Sequence, residues 1–363
     1  MAPVWHRFCF QASTVLAFLL GAAGLAGGAQ APGGPPVDDG AAPPGAASAF
    51  YQRPLPGQAG VMLQALERAP RLAPLRYRVI VIPGSGCDGL GAWADRYFAG
   101  LLHAQVLVLH KPGVQPGDRT APGRCPPSFV ATDALAAWQA HAQAAVQAWA
   151  ARSDDNVALP TVLVGISEGA ELLPGLAPQV PQLAGLVLLA SSGLDPREAG
   201  ALQAQRLGAL PAWAALERAQ AGSGPDSDVV QGRSLRYWRD LWHWPVAQPL
   251  IDGPWPMIQV WGGADELVPP QAYAGFHARA QGRWAPFCAR SLPDADHGLQ
   301  SGQRDGVQQV WAWLEQWARQ PGDGLCAPLQ RCRYPLGACA GRMSDTTRVM
   351  TVSGITNPII TVE

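Results

Sequence analysis

The chain has 363 residues, enough for one large α/β domain with embellishments or for two small ones, and 48% of them are hydrophobic. Charged residues make up only 15%, against about 25% in an ordinary soluble domain, so the surface leans on Gly, Pro, Ala and Gln. With 26 basic and 27 acidic residues the net charge is −1, and no basic stripe is present to neutralise a run of phosphates, which excludes nucleic acid as an expected partner and argues against adsorption to an anionic membrane.

The first segment reads as an export leader. His6 and Arg7 give a weakly basic start, Val15 to Leu25 is an apolar run, and the mostly small residues Ala26 to Ala31 contain a cleavage site at Ala29-Gln30-Ala31. Residues 1–31 are therefore expected to be a signal peptide, placing the mature protein in the periplasm or outside the cell with no stable membrane insertion. A retained anchor is the competing reading, but the apolar run is shorter than the roughly 20 residues a membrane span needs. Residues 32–59, crowded with Pro, Gly and Ala, predict a flexible lead, with the folded domain beginning near residue 60.

From residue 60 to 319, strand-like apolar runs alternate with helix-like stretches. Arg78 to Ile82 reads as a strand, Leu90 to Leu102 as a helix, Gln105 to His110 as a strand and Asp133 to Arg152 as a long helix. Thr161 to Val164, Gly185 to Ala190, Met257 to Trp261 and Pro286 to Leu292 continue as strands, with a helix from Glu168 onward and a last one over Val307 to Trp317. Short runs apolar on both faces, separated by helices, predict an α/β fold with a mostly parallel central sheet and helices on both faces. The rhythm breaks over residues 194–255, where Trp213, Tyr237, Trp238, Trp242 and Trp244 stand among polar residues. This predicts a helical, aromatic-rich cap insertion that either covers a pocket or packs onto the body.

Of the seven cysteines, Cys9 lies in the leader, leaving Cys87, Cys125, Cys288, Cys326, Cys332 and Cys339, an even set that predicts disulfides in an exported chain. Sequence does not choose their pairing. The last three lie in a C-terminal extension over residues 320–363 and have no nearby His, which disfavours a zinc site.

The chemistry concentrates in three places. Gly165-Ile166-Ser167-Glu168-Gly169 falls between a strand and a helix, where a serine on a sharp turn is presented to solvent and flanking glycines relieve the crowding. A serine hydroxyl needs an imidazole to take its proton, and the imidazole needs a carboxylate to fix its tautomer. Trp261-Gly262-Gly263-Ala264-Asp265 puts Asp265 in a loop at the carboxyl end of a strand, and Asp294-Ala295-Asp296-His297-Gly298 puts His297 in a later loop. Asp294 and Asp296 are rival partners for His297. His103, His141 and His277 fall on expected helices, and His243 falls in the insertion. The oxyanion of an acyl-transfer intermediate needs donors, for which the sequence offers the Glu168 backbone N–H and that of Ser85 in the loop Pro83-Gly84-Ser85-Gly86-Cys87.

These residues, over about 76–318, resemble the α/β-hydrolase superfamily, in which nucleophile, acid and histidine come in this chain order. The resemblance implies an eight-stranded type of sheet, no cofactor, and acyl transfer through Ser167 to water with Asp265 and His297 as the catalytic partners. Pro83 stands where many members carry His, which separates the chain from the HGGG-bearing lipases. The expected activity is hydrolysis of a carboxylic ester or thioester on a small-molecule acyl substrate. A peptidase or amidase on the same triad, and an inactive exported binding protein with the same fold, are the alternatives.

Overall fold

The computed structural model describes residues 48–120, 124–152, 158–302 and 304–327. The expected signal peptide and most of the expected proline-rich lead lie outside these residues, as do Cys332 and Cys339.

The chain opens with β1 (Tyr51–Pro56) and β2 (Met62–Arg68), then β3 (Tyr77–Ile82), a short α1 (Ala94–Tyr97) and β4 (Ala104–Leu109). Helices α2 (Pro127–Thr132) and α3 (Leu135–Ala151) lead to β5 (Thr161–Ile166). A tight helical turn over Ser167–Leu172, α4 (Leu173–Leu176) and a second turn over Ala177–Gln179 lead to β6 (Leu183–Leu189). The insertion comprises α5 (Pro196–Arg206), α6 (Leu210–Ala221), a ribbon of β7 (Val229–Val230) and β8 (Arg233–Ser234), α7 (Leu235–Trp242) and α8 (Ala247–Asp252). The body resumes with β9 (Met257–Gly262), α9 (Pro270–Ala280), β10 (Phe287–Leu292), the ribbon β11 (Gln300–Ser301) and β12 (Arg304–Asp305), and α10 (Gly306–Trp317).

One eight-stranded sheet carries the fold, in the order β1-β2-β4-β3-β5-β6-β9-β10. Pairs β1/β2 and β2/β4 are antiparallel and the rest are parallel. Alternation along each strand divides the core into two layers. Ile80, Ile82, Leu107, Leu163, Leu186 and Leu188 face α3 and the insertion. Val79, Val81, Val106, Val108, Val162 and Val187 face α1 and α10.

Four sequence expectations are corrected. The sheet starts within the expected lead, since Tyr51–Pro56 is its first strand. Pro54 and Pro56 mask it in sequence, but an edge strand tolerates them because one row of its backbone groups needs no partner. The helix expected over 90–102 shrinks to Ala94–Tyr97, because Gly91 N instead donates to Pro116 O at 2.8 Å and Gly100 N to Gln308 Oε1 at 2.9 Å. After Ser167 the expected helix is a chain of short turns, interrupted by Pro174 and Pro178. His103 lies in the loop before β4, where its Nδ1 meets Glu315 Oε2 at 2.6 Å.

The insertion's aromatic residues point inward. Trp213 stacks on Trp242 with ring centroids 4.7 Å apart, and the Trp238 indole donates to Val230 O at 2.8 Å. Trp213, Tyr237, Trp238 and Trp242 are buried in the same cluster as Leu163 of β5, so these rings fasten the insertion to the body. Disulfides join Cys87 to Cys125 and Cys288 to Cys326, the second tying the start of the C-terminal extension to β10.

Candidate active site

Ser167 directly follows β5 with φ at 51°, a left-handed conformation that costs a side-chain-bearing residue about 1–3 kcal/mol. The glycines on either side make the turn possible. A Cβ at Gly165 would stand 2.3 Å from Ala170 Cα, and one at Gly169 would stand 2.2 Å from Ile82 O, so the turn is pressed against the end of β3. This brings Ser167 beside the loop after β3, where a Cβ on Gly84 would be 3.4 Å from that of Ser167.

The loops after β9 and β10 are zipped together by Gly263 N donating to Leu292 O at 2.8 Å and Ala264 N to Ala295 O at 2.9 Å. Gly262 and Gly263 permit it, since a Cβ on either would stand 2.1 Å from Asp296 O or 2.4 Å from Pro293 O. The zipped loops set Asp265 Oδ2 2.9 Å from His297 Nδ1, and His297 Nε2 lies 3.1 Å from Ser167 Oγ. The rival carboxylates are placed elsewhere: Asp296 Oδ1 accepts from Gln300 N at 2.9 Å and Asp294 is exposed.

Asp265 is fixed from every side. Its Oδ1 accepts from Leu267 N at 2.8 Å and Val268 N at 3.0 Å, and its Oδ2 accepts from the Tyr273 hydroxyl at 2.9 Å. Burial alone would raise its carboxyl, but the facing imidazole and these N–H donors outweigh burial and hold it below the ordinary carboxylate value. Burial and the neighbouring carboxylate push the Tyr273 phenol well up, so it remains a donor. A carboxylate so held keeps the proton on His297 Nδ1 and leaves Nε2 free to take one from Ser167.

Ser167 and His297 open into a cleft of about 80 Å³, whose walls include Gly84, Ser85, Gly86, Asp88 and His110. Ser85 thus lines the cleft, and Glu168 directly follows the serine. No residue of the insertion is among those that line this cleft. The loop after β3 is braced by the Cys87–Cys125 disulfide, by Gly89 N donating to Asp118 O at 3.0 Å, and by His110, whose Nε2 accepts from Leu90 N at 3.1 Å. Burial lowers the His110 imidazole to about 4, which keeps it neutral. Among the described residues no group of three or more His, Cys, Asp and Glu is placed to hold a metal ion.

Sequence reasoning missed Tyr273 and a buried ion cluster behind the serine. Lys111 Nζ bonds Asp133 Oδ1 at 3.0 Å and also Glu168 Oε1, Arg233 bonds Asp133, and the Tyr237 hydroxyl donates to Glu168 Oε2 at 2.6 Å. These residues are far apart in the chain and no motif marks them. The available signal was Glu168 itself, a charged residue facing a buried turn.

Sheet order, crossovers and the placement of polar residues at the carboxyl ends of β5, β9 and β10 together define the α/β-hydrolase fold. No protein-family model matches the chain, and no curated protein matches it in sequence. Solved structures do match. A protein of Agrobacterium vitis S4 with a provisional hydrolase designation aligns at TM-score 0.50 and 18% identity over 74% of this chain and 97% of its own. A protein of unknown function from Staphylococcus aureus subsp. aureus Mu50 aligns at TM-score 0.50 and 12% identity over 74% and 98%. Est1E from Butyrivibrio proteoclasticus, with ferulic acid bound, aligns at TM-score 0.49 and 18% identity over 73% and 99%. At such identities the likeness is one of fold, and function rests on the site.

Proposed function

We propose that this chain is an exported serine hydrolase that cleaves a carboxylic ester or thioester through an acyl-enzyme on Ser167. The observation that carries the reading is the unbroken relay from Ser167 Oγ through His297 to Asp265, at 3.1 and 2.9 Å, opening on a cleft. In the proposed reaction His297 Nε2 takes the hydroxyl proton as Oγ bonds to the acyl carbon, and the carbonyl oxygen becomes an oxyanion that accepts from the Glu168 and Ser85 backbone N–H groups. The imidazolium then protonates the leaving alkoxide or thiolate. Water, deprotonated by the same imidazole, attacks the acyl-enzyme and releases the acid and Ser167.

Export is supported by two disulfides among the described residues, which cytosolic redox conditions would disfavour. Among the described residues no helix is long and apolar enough to cross a membrane.

Hydrolysis of a p-nitrophenyl ester series, with a p-nitroanilide series beside it, tests the reading. Turnover of short acyl esters that disappears in Ser167→Ala and His297→Ala is expected. Turnover of anilides in preference to esters would move the chain to the peptidases, and inertness toward both would favour a binding protein.

A further inference from the structure

The serine relay leaves unused a polar cluster behind the Ser167 turn that is as buried as the core. Lys111 and Arg233 face Asp133 and Glu168, with all four side chains at most 7% exposed. The Tyr237 hydroxyl closes the set on Glu168, and the Arg233 guanidinium lies 4.6 Å from the Tyr237 ring. The charges balance two against two. The nearby Glu171 carboxyl is pushed well up by burial and by Glu168, so it adds no third negative charge.

Such a cluster is a poor device for stability alone, since desolvating the ions offsets most of their attraction and apolar residues of the same volume often serve as well. Its connections point elsewhere. Lys111 follows β4 and also lines the cleft, Asp133 lies between α2 and α3, and Arg233 and Tyr237 belong to β8 and α7 of the insertion. Lys111 and Tyr237 bond the carboxylate of the residue directly after the strained Ser167, and Asp133 and Arg233 hold those two in place. Burying an apolar side chain there would fill space, whereas a carboxylate held on both oxygens is fixed in direction.

Building on the serine hydrolase reading, we infer that Lys111, Asp133, Arg233 and Tyr237 are positioning residues that clamp the Glu168 carboxylate and thereby aim the Glu168 N–H at the oxyanion. The insertion contributes to catalysis from behind the Ser167 turn, without lining the cleft. Because the clamp acts on transition-state charge, loosening it lowers kcat and leaves KM nearly unchanged.

The test compares wild type, Ser167→Ala, Tyr237→Phe, Glu168→Gln and the charge-balanced pair Lys111→Met with Glu168→Gln, measuring kcat, KM and Tm on one ester. Tyr237→Phe removes a single hydroxyl and is expected to lower kcat about 10-fold with KM within about twofold, a fraction of the 10²–10³ that outright loss of a donor costs. The pair is expected to regain Tm relative to Glu168→Gln while kcat stays low. Wild-type kcat in Tyr237→Phe, or recovery of kcat together with Tm in the pair, would overturn the inference and leave the hydrolase reading standing. A wild type that is as inert as Ser167→Ala would overturn both.

Discussion

Ser167 holds a backbone conformation that side chains seldom adopt, and the neighbouring glycines show why it persists: only a residue without Cβ fits at 165 or 169 against Ala170 and Ile82. Gly169→Ala is therefore expected to lose about 1–3 kcal/mol and some activity, read by urea unfolding and ester turnover together, because relief of the clash must displace the serine. Asp265→Asn keeps the shape but favours the wrong imidazole tautomer, and a fall in kcat of about 10⁴ is expected with little change in Tm. His110 makes a prediction in pH. Its folded value of about 4 lies below the ordinary 6.5, so the fold favours the neutral ring: its contribution is full above pH 6.5 and is lost as pH falls toward 4. The loss is about 3 kcal/mol over that window, at about 1.4 kcal/mol per pH unit. His110→Gln should flatten the stability curve between pH 6.5 and 4, and an unchanged slope would show that another group titrates there.

At the scale of elements, the two disulfides have equal sequence separation, 38 residues each, and different neighbours. Chain-entropy reasoning gives each a similar stabilisation of about 4 kcal/mol. Cys288→Ser with Cys326→Ser should cost stability and leave kcat intact, whereas Cys87→Ser with Cys125→Ser should cost both, since it frees the loop carrying Ser85. Equal kcat in the two variants would contradict the role given to that loop. The parallel strands were legible because Val79 to Ile82 or Val162 to Val164 are apolar on both faces. β1 was not, since its prolines are tolerated only at an edge that sequence does not reveal. β2 was missed because Glu67 and Arg68 are buried within it, bonded to distant partners such as Gln105 and the Phe98 and Leu101 carbonyls.

Across the whole molecule, one sheet collects at its carboxyl edge groups that are 130 and 32 residues apart in the chain, Ser167 to His297 and His297 to Asp265. Their types and order were readable because the proposed hydrolysis would use a serine, a base and an acid at strand ends. The cluster behind them was not, because nothing local distinguishes Lys111 or Arg233 from a surface cation. The insertion follows the same division: its helices and aromatics were expected, and its inward packing follows from contacts that only the folded chain makes. The most direct test of the central claim is intact-mass and peptide mapping of the purified protein after exposure to a fluorophosphonate. An activated Ser167 predicts a single covalent adduct on the peptide containing Ser167, absent from Ser167→Ala and strongly slowed in His297→Ala. No adduct, or an adduct that persists in Ser167→Ala, would contradict the account.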